Sequence, residues 1–212
     1  NWDMNNNNIE IVNPPDNKLS YNQICEEWHK FRKNSVINKC VADFAELLCA
    51  NGDILDVGCG TGQPIAQYLA NRGFHVTGID FSAEMIKKAK ALNLANATFI
   101  ECDFFDFQSE KMFDGIIAFD SLWHIAKKNQ PLIYDKLASM TKKGGFLLFT
   151  HGNRDDQTVG TMYNQEFYYS ALPTEKVREL LIRAGFDVIT LIENYKEKTT
   201  GDRDLLVIAQ KR

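Results

Sequence analysis

Four acids, a run of glycines and two histidines are the residues here whose spacing could do chemistry. Asp56 follows Ile54-Leu55 and opens Asp56-Val57-Gly58-Cys59-Gly60-Thr61-Gly62-Gln63-Pro64. Glycine at every second position permits positive φ and close approach of the backbone to a ligand. Pro64 suits the first position of a helix, where its missing N–H costs nothing. A buried strand, a glycine turn and a helix N-terminus make a cradle of nucleotide size. Asp80, Asp103 and Asp120 each close a further apolar run, in Ile79-Asp80-Phe81, Cys102-Asp103-Phe104 and Phe119-Asp120-Ser121. Asp80 stands 22 residues after Gly58, where a carboxylate can accept from both hydroxyls of a ribose. Each acid also has a plainer use as a turn former, and Asp80 could instead cap a helix that starts at Ser82. His124 and His151 are the candidate general bases, with an ordinary pKa suited to that work. Both could equally be structural histidines, His151 more so.

These residues need elements to position them. Strands are expected over Asp53–Val57, His75–Ile79, Thr98–Cys102, Phe113–Phe119 and Phe146–Thr150, alternating with helices over Pro64–Asn71, Glu84–Leu94 and Asn129–Met140. Such alternation predicts an α/β, doubly wound, mostly parallel sheet with helices on both faces. All four acids then fall on one carboxyl edge, where open α/β sheets bind ligands. Apolar spacing predicts two earlier helices, from Tyr21 to about Phe31 and from Val36 to Ala50. A helix over Thr174–Ala184, then strands over Asp187–Glu193 and Asp204–Gln210 joined through Thr199-Thr200-Gly201-Asp202, makes a C-terminal hairpin and a total of seven strands. Residues 1–18, with Pro14-Pro15, read as a disordered N-terminal segment. The rest, 19–212, reads as a single domain. It has lid or packing helices over 19–50, a cofactor-binding core over 53–150, an acceptor-side insertion over 151–172, and a C-terminal helix and hairpin over 173–212.

Composition narrows the partners. The 212 residues are 44% hydrophobic and 25% charged with a formal net charge of −4, which provides no basic footprint for a phosphate backbone and disfavours nucleic acid. No apolar run is long enough to span a bilayer. Asn1 to Asn8 is polar, the opposite of a signal peptide, and Met4 is a candidate natural start. Five cysteines, odd in number and without C-x-x-C, suggest reduced buried thiols and a cytoplasmic protein. Cys59 serves as a small residue within the glycine turn.

The dinucleotide fingerprint G-x-G-x-x-G requires a third glycine at position 63, where this chain has Gln63. The pattern found, Leu55-Asp56-Val57-Gly58-Cys59-Gly60-Thr61-Gly62, resembles the first motif of the class I, Rossmann-like, seven-strand S-adenosylmethionine-dependent methyltransferases. The resemblance covers about residues 40 to 212. It implies S-adenosyl-L-methionine as methyl donor, S-adenosyl-L-homocysteine as product, and one antiparallel strand inserted by the final hairpin. It assigns Asp80 to the ribose hydroxyls, Asp103 to the adenine amino group with Phe104 beside it, and Phe81 to an adenine face. Asp56 orders the turn and approaches the methionine ammonium, while Gly58 and Gly60 pass close to the methionine and ribose portion. Phe119, Ser121, Tyr21 and Arg32 complete the expected cofactor set. Arg32 stands opposite the methionine carboxylate, unless it is a solvated surface arginine.

The segment Phe119-Asp120-Ser121-Leu122-Trp123-His124-Ile125 resembles the small-molecule enzymes of the ubiquinone- and cyclopropane-synthase-like branch. It lacks the Asn/Asp-Pro-Pro-Tyr signature of amino-directed nucleic-acid and protein-glutamine enzymes. The acceptor pocket is expected around Trp123, His124, Tyr163 and Tyr168, with no metal. Methyl transfer from a sulfonium is an in-line displacement in which positioning can supply much of the catalysis. A base is needed only where the acceptor must lose a proton. The aromatic residues Trp28 and Phe31, and the run Phe167-Tyr168-Tyr169, either enclose an apolar or cationic acceptor or belong to the core. The expectation is a methyltransferase for a small-molecule acceptor, monomeric or homodimeric. Alternatives are the same fold acting on RNA or protein, a non-catalytic binder of the cofactor, and a dinucleotide oxidoreductase, which Gln63 opposes.

Overall fold

The computed structural model describes residues 10–198 and 200–212. Two helices, α1 (Asn17–Arg32) and α2 (Lys39–Leu47), precede an alternating core. The core runs β1 (Asp53–Val57), α3 (Ile65–Asn71), β2 (His75–Asp80), α4 (Ala83–Lys90), β3 (Ala97–Glu101), β4 (Phe113–Ala118), α5 (Ile133–Met140) and β5 (Thr141–His151). There follow β6 (Asp156–Met162), β7 (Gln165–Ala171), α6 (Thr174–Ala184), β8 (Phe186–Tyr195) and β9 (Arg203–Lys211).

Seven strands form one sheet in the order β3-β2-β1-β4-β5-β9-β8. β1 to β5 run parallel to one another, and β9 runs antiparallel to both β5 and β8. The expected doubly wound sheet and its C-terminal hairpin are both present. Alternating residues bury opposite faces, as strand pleating requires. Leu55, Ile116, Leu147 and Val207 pack with Tyr134 and Leu137 of α5 and Leu181 of α6. Their neighbours Ile54, Ile117, Leu148 and Leu206 pack instead with Phe44 of α2, Leu69 of α3 and Ile86 of α4.

Three features differ from the sequence expectations. The segment 1–18 does not end where expected. Asp16 accepts from the Lys18 and Leu19 amides and caps α1, which starts at Asn17 rather than Tyr21. A capping acid starts the helix directly after Pro14-Pro15, which themselves lie in no helix or strand. Residues 1–9, and with them the Asn run and Met4, lie outside the described residues. Next, 151–172 is a separate two-stranded sheet of β6 and β7, turned through Tyr163 and Asn164 at φ 49° and 62°. Two consecutive positive φ values are what a tight two-residue hairpin needs. Finally, α2 is shorter than 36–50, and its N-terminus is capped from a distance. Glu197 accepts from the Cys40 amide at 3.0 Å and from Asn38 Nδ2 at 3.1 Å.

Helix α1 is tied down at both sides. Asn17 exchanges hydrogen bonds with both backbone groups of Tyr168 on β7, at 2.8 and 3.0 Å. Ser20 donates to the Glu166 carbonyl at 2.7 Å. On the other flank Glu26 pairs with Lys88 of α4 at 2.7 Å, and Asn22 accepts the Ser82 hydroxyl at 2.6 Å. The helix thereby roofs the carboxyl edge of the sheet.

Candidate cofactor and acceptor site

A cavity of about 340 Å³ lies between that roof and the strand ends, within the range of small-molecule sites. Asp56, Gly58, Gly60, Asp80, Phe81, Asp103, Phe104, Phe119, Ser121, Tyr21 and Arg32 all line it, as does His124.

The glycine turn forms the floor. Gly58 has φ 72° and Gly60 φ 56°. A Cβ on Gly58 would stand 2.4 Å from the Ser121 Cβ, so the turn packs directly on the loop after β4. Ser121 Oγ fixes that contact by donating to the Val57 carbonyl at 3.0 Å. The amides of Gly58 and Cys59 both donate to the Ile79 carbonyl, Gly62 donates to the Cys59 carbonyl, and Gly60 donates to Asp80 Oδ2 at 2.9 Å. Four of the turn's amides are therefore spent inside the protein. A pyrophosphate cradle needs such amides free, which adds to the objection that Gln63 raises against a dinucleotide.

Asp80 is held at the end of β2 by two backbone amides. Its Oδ1 accepts from the Ser82 amide at 2.9 Å, while the Ser82 hydroxyl itself caps α4 through the Met85 amide. Burial pushes the Asp80 carboxyl up to about 6, against the pull of the two amide bonds. Asp56 is 2% exposed, and among the described residues no donor reaches its carboxylate. Burial, then the neighbouring Asp80 charge, pushes it up to about 7, and Arg32 opposes them. An unpartnered buried carboxylate facing a cavity asks for a cation or donor from a ligand.

Arg32 supplies the opposite charge. Tyr21, Trp28 and Arg32 share one face of α1, and the guanidinium lies over the Trp28 ring, 5.6 Å from its centroid. Burial lowers its pKa, while Asp120 and Asp56 raise it. Its placement in the cavity argues against a surface arginine. Asp103 is held in a turn by the Phe105 amide at 3.1 Å. Cys102, Phe105, Met85 and Asn129 also line the cavity. Periodicity offered no sign of them, because they come from loops or from a helix face turned toward the edge.

Asp120 is the principal addition to the expected set. It sits at φ 55°, a conformation tolerated by Asp. Arg203 of β9 grips it, and the Thr150 hydroxyl donates to it at 2.9 Å. The same guanidinium covers the Phe119 ring, 5.0 Å from its centroid. Its place at a strand end, like the other three acids, was the available signal.

His124 faces the cavity with a defined tautomer. Its Nδ1 lies 2.9 Å from the Tyr168 carbonyl, which can only accept, so Nδ1 carries the hydrogen. Nε2 then accepts the Tyr21 hydroxyl at 2.7 Å. Burial pushes His124 down to about 4, although the Tyr168 bond and Asp120 raise it, and burial raises the Tyr21 pKa well above its ordinary value.

Four expected residues fall elsewhere. His151 is fully buried; its Nδ1 accepts the Gly152 amide and its Nε2 donates to Gln130 Oε1 at 2.7 Å. Burial holds it neutral, down to about 4. It lies off the cavity lining, which corrects its candidacy as a base. Trp123 packs edge-on to its neighbour His124 but lines a second cavity of about 280 Å³ with Tyr169 and Asn153. Tyr163 is 45% exposed in the hairpin turn. Tyr168 is buried, its hydroxyl bonded to the Lys127 amide and to Gln157. Strand alternation instead places Tyr169 beside His124, with ring centroids 4.9 Å apart.

Comparison with known proteins agrees with this arrangement. Residues 48–200 match the family described as "Methyltransferase domain". A probable thiol methyltransferase of Arabidopsis thaliana is 27% identical over 158 residues, covering 72% of this chain and 66% of that protein. An O-methyltransferase of Penicillium expansum is 29% identical over 150 residues, covering 66% of this chain and 54% of that protein. The chain thus spans two thirds or less of the length of these relatives. The solved 1,6-didemethyltoxoflavin-N1-methyltransferase of Burkholderia thailandensis superposes with a TM-score of 0.69 over 97% of this chain and 93% of that one, at 17% identity. That structure has the methyltransferase fold, with 1,6-didemethyltoxoflavin and S-adenosylhomocysteine bound. The chain belongs to the methyltransferase-domain family.

Proposed function

We propose that the chain is an S-adenosylmethionine-dependent methyltransferase acting on a small-molecule acceptor. The observation that carries this reading is the pairing of an unpartnered Asp56 carboxylate with the Arg32 guanidinium, which has no ion-pair partner among the described residues, in one cavity. A ligand bearing both an ammonium and a carboxylate answers both groups, as the methionine end of this cofactor does. Asp80, fixed by the Gly60 and Ser82 amides, keeps lone pairs for a ribose. Phe81 and Phe104 offer apolar faces for a purine, with Asp103 at the rim. The cofactor would supply an activated methyl group. The protein's own part is to orient the two ligands and exclude water beneath α1.

A small-molecule acceptor is supported by the cavity's place beneath α1 and by the net charge of −4, which offers no basic footprint for nucleic acid. The thiol-, O- and N-methyltransferase relatives support that class. Calorimetry with S-adenosylhomocysteine tests the reading. Wild-type protein should bind it at micromolar concentration or tighter, and Asp80→Ala should abolish binding. Stabilisation by NAD and not by S-adenosylhomocysteine would overturn it.

A further inference from the structure

We propose that Tyr21 and His124 form a proton-accepting pair for the methyl acceptor, and that this acceptor presents a phenolic hydroxyl or a weakly basic aromatic N–H. The inference rests on the methyltransferase reading above. It starts from the direction of two hydrogen bonds. The Tyr168 carbonyl fixes the hydrogen on His124 Nδ1, so the single Tyr21 proton is committed to Nε2. Tyr21 Oη therefore has only lone pairs to offer the cavity. A ligand seated there must bring a donor hydrogen, or that oxygen loses its hydration without replacement.

The surroundings specify what kind of donor. Tyr21 packs edge-on to Trp28 and Phe167, with centroids 6.1 and 4.7 Å away, and lies 6.0 Å from Phe81. Such a collar suits an aromatic ring. The charged and titratable groups bearing on the pair are Arg32 of α1, Asp80 of β2, Asp120 after β4 and Tyr169 of β7. Burial leaves His124 a weak base. An alkylammonium, with an ordinary pKa near that of lysine at about 10.4, would keep its proton against it and offer no lone pair. A phenol or an aromatic N–H is neutral at pH 7, and its hydrogen becomes strongly acidic as the oxygen gains a third substituent or the nitrogen a fourth.

The transfer balances. The acceptor heteroatom uses its lone pair to bond the methyl carbon, and the carbon–sulfur pair stays on sulfur as a neutral thioether. The acceptor's proton passes to Tyr21 Oη as the Tyr21 proton passes to His124 Nε2. The positive charge first carried by the sulfonium ends on the imidazolium. Its Nδ1–H still donates to Tyr168, and Asp120 stands nearby.

The test uses the full chain with S-adenosylmethionine and measures S-adenosylhomocysteine formed with phenols and anilines, set against benzylamine and benzyl mercaptan. Turnover confined to phenols or anilines is expected. Tyr21→Phe and His124→Gln should each lower kcat by about 100-fold or more, the usual worth of general-base catalysis, and His124→Gln should leave KM for the cofactor little changed. The glutamine amide oxygen can still accept the Tyr21 hydroxyl but takes up no proton, so near-normal turnover by His124→Gln would reduce the pair to a positioning role and overturn the proposal. Preference for benzylamine or the thiol, or no turnover of any phenol or aniline, would also overturn it. Imidazole ¹⁵N spectra of the unliganded protein give a readout independent of activity. Among only four histidines, His124 should show the Nδ1–H tautomer, and its Nε2 resonance should move in Tyr21→Phe. A static resonance would refute the geometry. Retained S-adenosylhomocysteine binding in calorimetry separates failure of this inference from failure of the methyltransferase reading, which predicts that binding regardless of acceptor.

Discussion

Arg203 grips Asp120 with two hydrogen bonds, Nε to Oδ1 at 2.7 Å and Nη2 to Oδ2 at 2.9 Å, and so joins the end of β4 to the start of β9. The residues lie 83 positions apart. The pair is mostly buried, and it sets the direction of the loop that carries Ser121 and His124. Arg203→Met should lower stability by about 2 kcal/mol, the worth of hydrogen bonds to a charged group. Arg203→Lys should recover only part, because an ammonium cannot form the planar fork or cover Phe119 in the same way. Urea unfolding midpoints of the three proteins measure the difference.

Asp56 makes the unliganded protein sensitive to pH. Its folded pKa is raised from 3.8 to about 7, so the folded state retains a proton that the unfolded chain releases between those values. Stability should therefore fall as pH rises through that window and level off above it. Asp80, raised to about 6, acts in the same direction. Asp56→Asn should flatten the slope without abolishing it. A ligand ammonium beside Asp56 favours the carboxylate, so S-adenosylhomocysteine should raise Tm more at pH 8 than at pH 5.5. Thermal melts across pH, with and without the ligand, decide both points.

The contact between Gly58 and Ser121 admits no side chain. Gly58→Ala meets the Ser121 Cβ at 2.4 Å and carries the cost of positive φ as well. Destabilisation of about 2 kcal/mol or more is expected, about 1 kcal/mol of it from the backbone alone. Ser121→Gly in the same chain should relieve the clash and leave the backbone share. A double-mutant cycle in denaturant separates the two contributions.

Glu197 couples the C-terminal hairpin loop to α2. It also accepts from the hydroxyls of Tyr195 and Thr200, and its pKa falls from 4.5 to about 2. Burial resists the shift, and the hydrogen bonds outweigh it. The stabilisation is complete above pH 4.5 and is lost as pH falls toward 2. Glu197→Gln should cost about 1 kcal/mol at pH 7, the usual worth of a helix cap, and nothing near pH 2. Circular dichroism of acid titrations of the two proteins provides the comparison.

Much of this site could be read along the chain because its parts are local. A strand, a glycine turn and a helix cap are adjacent in sequence, and parallel strands must bring Asp56, Asp80, Asp103 and Asp120 to one edge. Gln63 in place of a third glycine was equally visible. Side-chain facing was not. Tyr168 and Tyr169 differ by one position, and a one-residue change of phase exchanges the two faces of a strand; the phase shows only in the register of β7 against β6 and its docking on α1. Trp123 and His124 line different cavities from one short turn for which periodicity has no rule.

The sequence by itself determined the fold, the edge that binds and the residues of the turn, because hydrophobic alternation and glycine spacing act over a few residues. Only the tertiary structure decided that Tyr21 meets His124 across 103 positions, that Arg203 holds Asp120, and that His151 is spent on Gln130. Those pairings depend on where distant elements dock, and docking follows the packing of two apolar faces that no local pattern specifies.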